Sequence, residues 1–448
     1  MISKKFSLII SKKINKFKKT ISVDSDKSIS IRSFLIGSIS QGISTLDNIL
    51  ESEDVFSTIE CLKKLGIKIK KVKIKKYKVF GKGLGSLTAK PNTSLNFGNS
   101  GTLARLLTGI ISSTPNLTLN LKGDHSLNKR NMKSLVKLLE NFGAEFTPKN
   151  KFYFPLKITS SNFPIGITYE AGSSAQLKSA AILAGLNSFG TTEIIEKNVS
   201  REHTENMLKN NKQVFKLTNK KTKKIQVSGK KYLNKFDIKV PGDPSSAAFF
   251  TTLALLNDNS NLEIRNVGLD SRRIGFYELL RKSGGKIKFK NLRKINNERV
   301  GDIQVTSSKL KPIIASKKYY LNATDEYPIL FTIAALIKGR SSFSGISGLR
   351  NKESDRIKEM QKILRQIGIM SKFNKNKLVI NGSDRKDYSK KIIKVSNLGD
   401  HRICMSSAVI ALLTGANAVI KNFETVGTSS PNFLKIIKSL GGKFEKKN

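Results

Sequence analysis

The sequence is short of cysteine, histidine and tryptophan, and each shortage excludes a class of protein. It has two cysteines, three histidines and no tryptophan in 448 residues. Cys61 and Cys404 are too few for a disulfide framework and lack a metal-binding spacing, so we expect no metal and a reducing, cytoplasmic location. No apolar run approaches the roughly 18 residues of a membrane-spanning helix, so we also expect no membrane partner.

Acidic residues are scarce as well, because 33 Asp and Glu stand against 81 Lys and Arg, for a formal net charge of +48. Such an excess is typical of nucleic-acid-binding proteins. The lysines, however, are spread along the chain among many Ile and Asn residues, as an AT-rich genome would produce, and only 7% of residues are aromatic. We therefore predict no nucleic-acid partner and infer that the charge attracts small polyanionic substrates. The lysine-rich stretch 216–231 is predicted to be a solvated loop or hairpin without chemistry.

What the chain does contain is a pattern that returns six times. A small polar cluster opens an apolar helix, a strand follows, and a second, amphipathic helix closes on a glycine in five of the six repeats. The third repeat has Val214-Phe215 where the others have that glycine. The openings are Asp26-Lys27-Ser28, Asn99-Ser100-Gly101-Thr102, Ser173-Ser174-Ala175-Gln176, Asp243-Pro244-Ser245-Ser246, Thr324-Asp325-Glu326 and Gly399-Asp400-His401-Arg402.

Length and repeat together predict the domain organisation. A chain of 448 residues is too long for one hydrophobic core, and Pro and Gly interrupt it near Val240-Pro241-Gly242, after three repeats. We predict an α/β fold with two three-repeat domains, residues 22–240 and residues 1–21 plus 241–448, in which the N-terminal tail pairs with the second half. The basic segment 1–19 lacks the apolar core of a signal peptide and is interpreted as mature protein, with a transit peptide as the alternative.

The polar clusters of the first half supply groups that bind anions. A helix N-terminus offers free N–H groups and a partial positive charge, both of which favour anions. The same partial charge disfavours the cations that are found at these N-termini. Ser28 and Arg32 are four residues apart and share one helix face, with Lys27 in the opening turn. Each cluster alone is also explained by ordinary helix capping. The other candidates in this half are Gly101, Arg130, Ser174, Gln176, Ser200 and Arg201.

The second half adds carboxylates to the cations. Asp325 opens an apolar helix, where it is either a partner of the helix dipole or a general base. Glu353 and Arg356 are spaced to form an ion pair, and Ser354 is a candidate cap. Arg402 begins a strongly apolar helix, which is costly unless an anion pairs with it. Taken together, the clusters predict one anion-binding site in a cleft between the domains.

In order and spacing, these clusters resemble the 5-enolpyruvylshikimate-3-phosphate (EPSP) synthase family over residues 21–443. The resemblance implies a two-domain inside-out α/β barrel of six βαβαββ-like units, three per domain. It also implies transfer of the enolpyruvyl group of phosphoenolpyruvate to the 5-hydroxyl of shikimate 3-phosphate, by addition and elimination, without metal or organic cofactor. The matching segments are DKSISIR from Asp26, GNSGT from Gly98, GDHSLNKR from Gly123, SAQLKSA from Ser174, SREHTE from Ser200, DEYP from Asp325, LRNKESDR from Leu349 and DHRICM from Asp400.

The resemblance also implies roles for individual residues. Asp325 is similar to the family's base for the 5-hydroxyl, Glu353 to the group that exchanges a proton with C3 of the enol, and Lys27 to a catalytic cation. The implied contacts of shikimate 3-phosphate are Lys27, Ser28, Arg32, Ser174, Gln176, Ser200, Arg201, Asp325 and Lys352. The implied contacts of phosphoenolpyruvate are Lys27, Gly101, Arg130, Gln176, Arg356 and Arg402.

Three rival functions remain to be weighed. The sister transferase that acts on UDP-N-acetylglucosamine commonly uses a cysteine on a loop after the region of Gly101, and this chain has none there. A basic nucleic-acid-binding protein would have lost the clusters, which are present. An enzyme that processes RNA-terminal phosphate needs a nucleophilic histidine, and His203 has no partner that the sequence identifies. We expect a monomer, because the repeats bury one another.

Overall fold

Each of the six repeats builds one four-stranded sheet with its helices. This architecture is seen in a computed structural model that describes residues 5–219, 222–384, 387–396 and 399–447. The N-terminal unit consists of Ser25–Val240 and Ile295–Glu298, and the C-terminal unit of the described residues of Met1–Asp24, Pro241–Lys294 and Arg299–Asn448. Each unit has its own hydrophobic core.

Two strands precede the repeats, and the first three repeats then follow in order. The leading strands are β1 (Ser7–Ile10) and β2 (Lys18–Ser22). The first repeat contains α1 (Lys27–Ile39), β3 (Gln41–Asp47), α2 (Glu53–Lys64), β4 (Lys68–Lys73) and β5 (Lys76–Lys82). The second contains β6 (Thr93–Asn96), α3 (Gly101–Ser112), β7 (Thr118–Lys122), α4 (His125–Asn128), α5 (Lys133–Glu140), β8 (Glu145–Thr147) and β9 (Leu156–Thr159). The third contains β10 (Thr168–Ala171), α6 (Ala175–Leu186), β11 (Thr191–Glu196), α7 (His203–Leu208), β12 (Phe215–Asn219) and β13 (Lys223–Ser228), and β14 (Ile238–Lys239) follows it.

The last three repeats have the same order of elements. The fourth contains α8 (Pro244–Leu256), β15 (Asn261–Gly268), α9 (Gly275–Lys282), β16 (Lys286–Ile295) and β17 (Glu298–Thr306). The fifth contains β18 (Ile314–Ala315), α10 (Tyr327–Ala335), β19 (Gly339–Ser344), α11 (Arg356–Gln366), β20 (Met370–Asn374) and β21 (Lys377–Gly382). The sixth contains β22 (Ile392–Val395), α12 (His401–Thr414), β23 (Asn417–Ile420), α13 (Phe433–Ser439) and β24 (Glu445–Lys447). Short 3₁₀ segments lie at Lys317–Tyr319, Ser347–Asn351 and Phe423–Thr428.

All six sheets share one topology. One edge strand of each sheet pairs in parallel with its neighbour, as β10 does with β11, and antiparallel pairs such as β11–β13 and β12–β13 complete the sheet. Three sheets take a strand from outside their repeat: β14 joins the first, β2 the fourth and β1 the sixth. The predicted pairing of the N-terminal tail with the second half is therefore confirmed, as is the α/β class with six βαβαββ-like units.

The first long helix of each repeat is buried, because its apolar residues face neighbours on every side. Helices α1, α3 and α6 pack together in the N-terminal unit, and α8, α10 and α12 in the C-terminal unit. Five of these helices begin at a capping side chain, as the sequence predicts: Asp26, Ser100, Ser174, Asp243 and Asp400. Within the described ranges, no helix is both long and apolar enough to cross a membrane.

The stretch 216–231 is only partly as predicted. It contains the hairpin of β12 and β13, and its residues 220 and 221 lie outside the described residues. The prediction of a solvated charge run is wrong for Lys223, which is buried and pairs with Glu196, Glu202 and Glu205. Strand alternation turns its side chain inward, where three carboxylates from distant segments compensate its charge.

Candidate active site

Helix α1 carries two of the predicted cations near its start: Lys27 is partly exposed, and Arg32 is buried. Asp26 caps the helix by accepting the N–H of Ile29, so the chain turns into the helix at Lys27. Lys27 Nζ pairs with Oδ2 of Asp54 at 2.9 Å, and the side chain of Lys27 keeps 20% of its surface exposed. Ser28 is half-buried beside it. The opening turn therefore presents an ammonium group and a hydroxyl together.

Arg32 lies one turn further along α1, and its guanidinium is buried. Its Nε donates to Oγ1 of Thr204 at 2.9 Å, Nη2 to Oγ of Ser179 at 3.1 Å and Nη1 to the carbonyl of Ser28 at 3.1 Å. Burial lowers the pKa of Arg32 to about 10, so the group stays protonated at neutral pH. The predicted pair of Ser28 and Arg32 is thus joined by a hydrogen bond through the backbone.

Gly101, the first residue of α3, lies against two guanidinium groups. A Cβ atom here would lie 2.8 Å from Nη1 of Arg105 and 3.0 Å from Nη1 of Arg130. Arg130 follows α4 and donates from Nη2 to Oδ1 of Asn99 and, at 3.4 Å, to Oγ of Ser126. The absence of a side chain at Gly101 leaves these two cations close to the N–H groups of the α3 N-terminus, where an anion is favoured.

Helix α6 contributes a third polar N-terminus to the same unit, after those of α1 and α3. Oγ of Ser174 accepts the N–H of Leu177, and Gln176 Nε2 donates to Oγ1 of Thr102 at 3.0 Å. Gln176 therefore links the beginnings of α6 and α3. Ser200 follows strand β11, where both its N–H and its hydroxyl donate to Oε1 of a single carboxylate, that of Glu196, at 3.0 and 2.8 Å. Arg201, the next residue, is half-buried.

In the C-terminal unit, three carboxylates surround one buried guanidinium. Arg356 is 1% exposed at the start of α11. Its Nη2 pairs with Glu353 at 2.6 Å, its Nε with Asp400 at 2.9 Å, and its Nη1 lies 3.7 Å from Asp325. Burial alone would lower the pKa of Arg356, but Asp400, Glu353 and Asp325 together raise it. The spacing prediction of a Glu353–Arg356 pair is confirmed, and Asp325 joins the same cluster.

Two further predicted cations lie in this unit. Arg402, the second residue of α12, is buried, and its guanidinium lies 5.9 Å from the ring centre of Phe249. Its Nη1 is buried without a hydrogen bond to any described residue, so it is a donor that an anion could use. Lys352 directly precedes Glu353 and is half-buried.

The structure corrects three local interpretations. Asp355, not Ser354, caps α11, while the hydroxyl of Ser354 donates to Asp400. Helix α10 begins at Tyr327, so Asp325 lies ahead of it rather than on it. His203 does have a partner, because its Nδ1 lies 2.9 Å from Oε1 of Glu298. That partner is 95 residues away in sequence, which no local pattern reveals.

Sequence reasoning missed the residues that hold the predicted ones in place. Asp54, Ser179, Thr204 and Asp400 contact Lys27, Arg32 and Arg356, yet none of these contacts joins neighbours in sequence. The only available signal was that a buried cation requires a partner. Within the part of the chain that the structure describes, no group of three or more His, Cys, Asp or Glu side chains could hold a metal ion.

The chain is similar to known proteins along nearly all of its length. The family model described as EPSP synthase (3-phosphoshikimate 1-carboxyvinyltransferase) matches residues 11–437. A 3-phosphoshikimate 1-carboxyvinyltransferase from Zymomonas mobilis subsp. mobilis is 37% identical over 441 residues, which are 98% of this chain and 97% of that protein. A protein of the same name from Syntrophomonas wolfei subsp. wolfei is 36% identical, over 96% of this chain and 99% of its own.

Solved structures give the same picture. EPSP synthase from Acinetobacter baumannii matches with a TM-score of 0.85 and 32% identity, over 99% of this chain and 100% of that chain. The enolpyruvyl transferase NikO from Streptomyces tendae matches with a TM-score of 0.77 and 13% identity, over 99% of both chains, which concerns the fold alone. The predicted fold class, a two-domain inside-out α/β barrel, is thereby confirmed.

Proposed function

Since the chain belongs to the EPSP synthase family, we propose that the residues described above bind the two substrates and move the protons of the family reaction. The chain is an enolpyruvyl transferase that moves this group from phosphoenolpyruvate to the 5-hydroxyl of shikimate 3-phosphate and releases phosphate. The alternative acceptor, UDP-N-acetylglucosamine, is less well supported, because the relatives carry the name of the shikimate enzyme.

The carboxylates around Arg356 are the observation that carries the assignment of roles. Asp325 and Glu353 lie on different nitrogens of one guanidinium, at 3.7 and 2.6 Å, while Asp400 holds a third. Because the Arg356 side chain is fixed by Asp400, it holds the other two carboxylates near one another. Two carboxyl groups in different surroundings can divide the work of base and acid.

In the proposed addition, the 5-hydroxyl oxygen attacks C2 of phosphoenolpyruvate and its proton passes to Asp325. C3 takes a proton from Glu353, which gives a tetrahedral intermediate. In the elimination, C3 returns a proton to Glu353, the bond from C2 to the phosphate oxygen breaks, and phosphate leaves with its electron pair. An anionic substrate that binds Arg356 competes with Glu353 for the guanidinium.

The site residues form two sets, one for each anionic substrate, and Lys27 and Gln176 belong to both. We assign Lys27, Gly101, Arg130, Gln176, Arg356 and Arg402 to phosphoenolpyruvate. We assign Lys27, Ser28, Arg32, Ser174, Gln176, Ser200, Arg201, Asp325 and Lys352 to shikimate 3-phosphate. Helix N-termini, hydroxyl groups and guanidinium groups are the donors that phosphate and carboxylate favour, which supports both assignments. Positive groups placed in advance also stabilise charge that develops in the intermediate.

The organisation of the molecule completes the proposal. We propose that residues 22–240 form one domain and residues 1–21 plus 241–448 the other. We further propose that the enzyme acts as a cytoplasmic monomer without metal or cofactor, and that it has no nucleic-acid partner. The scarcity of cysteine supports the cytoplasmic location and the absence of a metal. The burial of each core by its own three repeats supports the monomer.

Phosphate release from mixed substrates tests the roles directly. Asp325→Asn keeps the size of the side chain and removes its basicity, so we expect kcat to fall by roughly 10²–10⁴-fold. Glu263→Gln is the control, because Glu263 lies on β15 and pairs with the exposed Arg265. Native turnover in the Asp325→Asn variant would contradict the role of Asp325, and release without shikimate 3-phosphate would contradict the reaction.

A further inference from the structure

A buried cluster of five charged residues lies in the N-terminal unit, and no proposed catalytic step uses it. Lys178 Nζ lies 2.9 Å from Oε1 of Glu196 and 2.6 Å from Oε1 of Glu205. Lys223 Nζ lies 3.2 Å from Glu196 and 3.1 Å from Glu205, and it reaches Glu202 at 2.6 Å. The cluster thus ties α6 and β13 to the end of β11, to α7 and to the segment between them.

Burying such a cluster costs free energy, so it stabilises a fold less than apolar packing does. The side chain of Lys178 has 0% exposure, on a helix whose buried part is otherwise apolar apart from Ser179. Removing an ammonium group and carboxylates from water costs free energy that their mutual attraction recovers only in good geometry. An apolar side chain would fill the same position at a lower cost in free energy, which indicates that the charge of Lys178 has a role besides stability.

Lys178 is connected to Ser200 through Glu196. The oxygen of Glu196 that pairs with Lys178 is also the one that accepts the N–H and the hydroxyl of Ser200, at 3.0 and 2.8 Å. Lys178 Nζ also lies 3.5 Å from the carbonyl oxygen of Ser200. The position of Ser200 therefore depends on a carboxylate that Lys178 keeps in place.

A second connection leads from the cluster to Arg32. Ser179 follows Lys178 on α6, and Thr204 precedes Glu205 on α7. The hydroxyls of Ser179 and Thr204 lie 2.8 Å apart, and both accept hydrogen bonds from the guanidinium of Arg32. The ion pair between Lys178 and Glu205 thus fixes the two backbone segments that carry the acceptors of Arg32.

We propose that Lys178 is a positioning residue for the acceptor substrate: through Glu196 and Glu205 it holds Ser200 and Arg32 in the arrangement that binds shikimate 3-phosphate. This inference rests on the proposed function, because Ser200 and Arg32 are assigned to that substrate there. It goes beyond the proposed function, because Lys178 is not among the residues assigned to either substrate.

The test is Lys178→Met, which retains an unbranched side chain of nearly the same length and removes its charge. We expect the KM and the calorimetric Kd for shikimate 3-phosphate to rise at least about tenfold, which is the effect of losing one well-placed polar contact. The KM for phosphoenolpyruvate should change by less than about threefold, which is a small difference in binding free energy. A merely structural role would weaken both substrates together or neither.

Two controls separate positioning from stability. Ile182→Ala removes an apolar side chain from the core of the same helix and should lower the thermal midpoint while leaving the KM for shikimate 3-phosphate unchanged. Lys224→Met removes the exposed lysine beside Lys223 and should change neither. If Lys178→Met does not fold, Glu196→Gln is the test variant, because it retains the shape and breaks the same connection.

A double-mutant cycle with Ser200→Ala shows whether Lys178 acts through Ser200. If it does, the effect of Lys178→Met on the Kd for shikimate 3-phosphate shrinks in the Ser200→Ala background. A Kd within about twofold of the native value in the folded test variant would overturn the inference. An unchanged Kd in both Ser200→Ala and Arg32→Lys would instead contradict the substrate assignment, and thus the proposed function of these residues.

Discussion

Arg356 shows how one buried cation organises carboxylates that the sequence scatters. Glu353 is three residues away from Arg356 in sequence, and Asp400 is 44 residues away. Asp325 lies before helix α10, which itself precedes strand β19. Their combined charge outweighs the burial of the guanidinium and raises its pKa. The planar group reaches the three carboxylates through three separate nitrogens, a spread that the single nitrogen of an ammonium group at the same place does not have.

Arg356→Lys should therefore be far from conservative. The lysine keeps the charge but cannot contact Asp325, Glu353 and Asp400 in their present positions, so we expect kcat/KM to fall by at least about 100-fold, which corresponds to roughly 3 kcal/mol of lost transition-state stabilisation. Arg365→Lys, at an exposed position of the same helix, is the matched control. Equal phosphate-release kinetics in the two variants would rule out a special role for Arg356.

At the scale of elements, close packing of strand against helix requires glycine at equivalent points. Gly81, Gly229 and Gly382 lie at or just after the last strand of their repeats, beside the C-terminal end of the buried helix. A Cβ atom would lie 2.1, 1.8 and 2.0 Å from carbonyl oxygens of Ser40, Ser188 and Ala334. None of the three has a positive φ, so space and not backbone conformation requires the glycine.

Gly382→Ala should lower the free energy of unfolding by about 1–3 kcal/mol, because helix α10 or strand β21 must shift to admit the methyl group. Denaturant unfolding of the purified variant measures this. Gly427→Ala is the control, since its Cβ would meet no atom within 4 Å. If both variants unfold at the native denaturant concentration, the packing is looser than the structure indicates.

At the scale of the whole molecule, the dominant property is a formal net charge of +48. Because 81 basic residues stand against 33 acidic ones, the charges do not cancel, and their summed field acts on every approaching ion. Both substrates are small polyanions, so the field favours their arrival. Salt weakens such a field, because the Debye length falls from about 30 Å at 0.01 M to about 8 Å at 0.15 M.

We accordingly expect kcat/KM for shikimate 3-phosphate to fall several-fold as sodium chloride rises over that range, while kcat at saturating substrates changes less. Initial rates of phosphate release at several salt concentrations provide the measurement. Sucrose at matched osmolality is the control, because it alters water activity without screening charge. A kcat/KM that is independent of salt would show that the excess lysines do not assist substrate binding.

Much of the fold and part of the site could be predicted from local sequence. Helix starts are predictable because a capping side chain such as Asp26 or Ser174 binds N–H groups two or three residues away. The repeat is predictable because each unit must bury the same apolar faces. The pair of Glu353 and Arg356 is predictable because the two residues are only three apart in sequence.

Tertiary structure alone decided which distant groups meet. Thr204 and Arg32 are 172 residues apart, and Glu298 and His203 are 95 apart. The prediction that Lys223 is solvated is wrong, because the carboxylates that pair with it come from another segment. The physical reason is that helix caps and apolar periodicity are short-range properties, whereas the partner of a buried charge depends on how helices and sheets pack. The sequence by itself thus determined the six repeats and their polar openings, and packing determined the cluster around Arg356 and the ion pairs of Lys178.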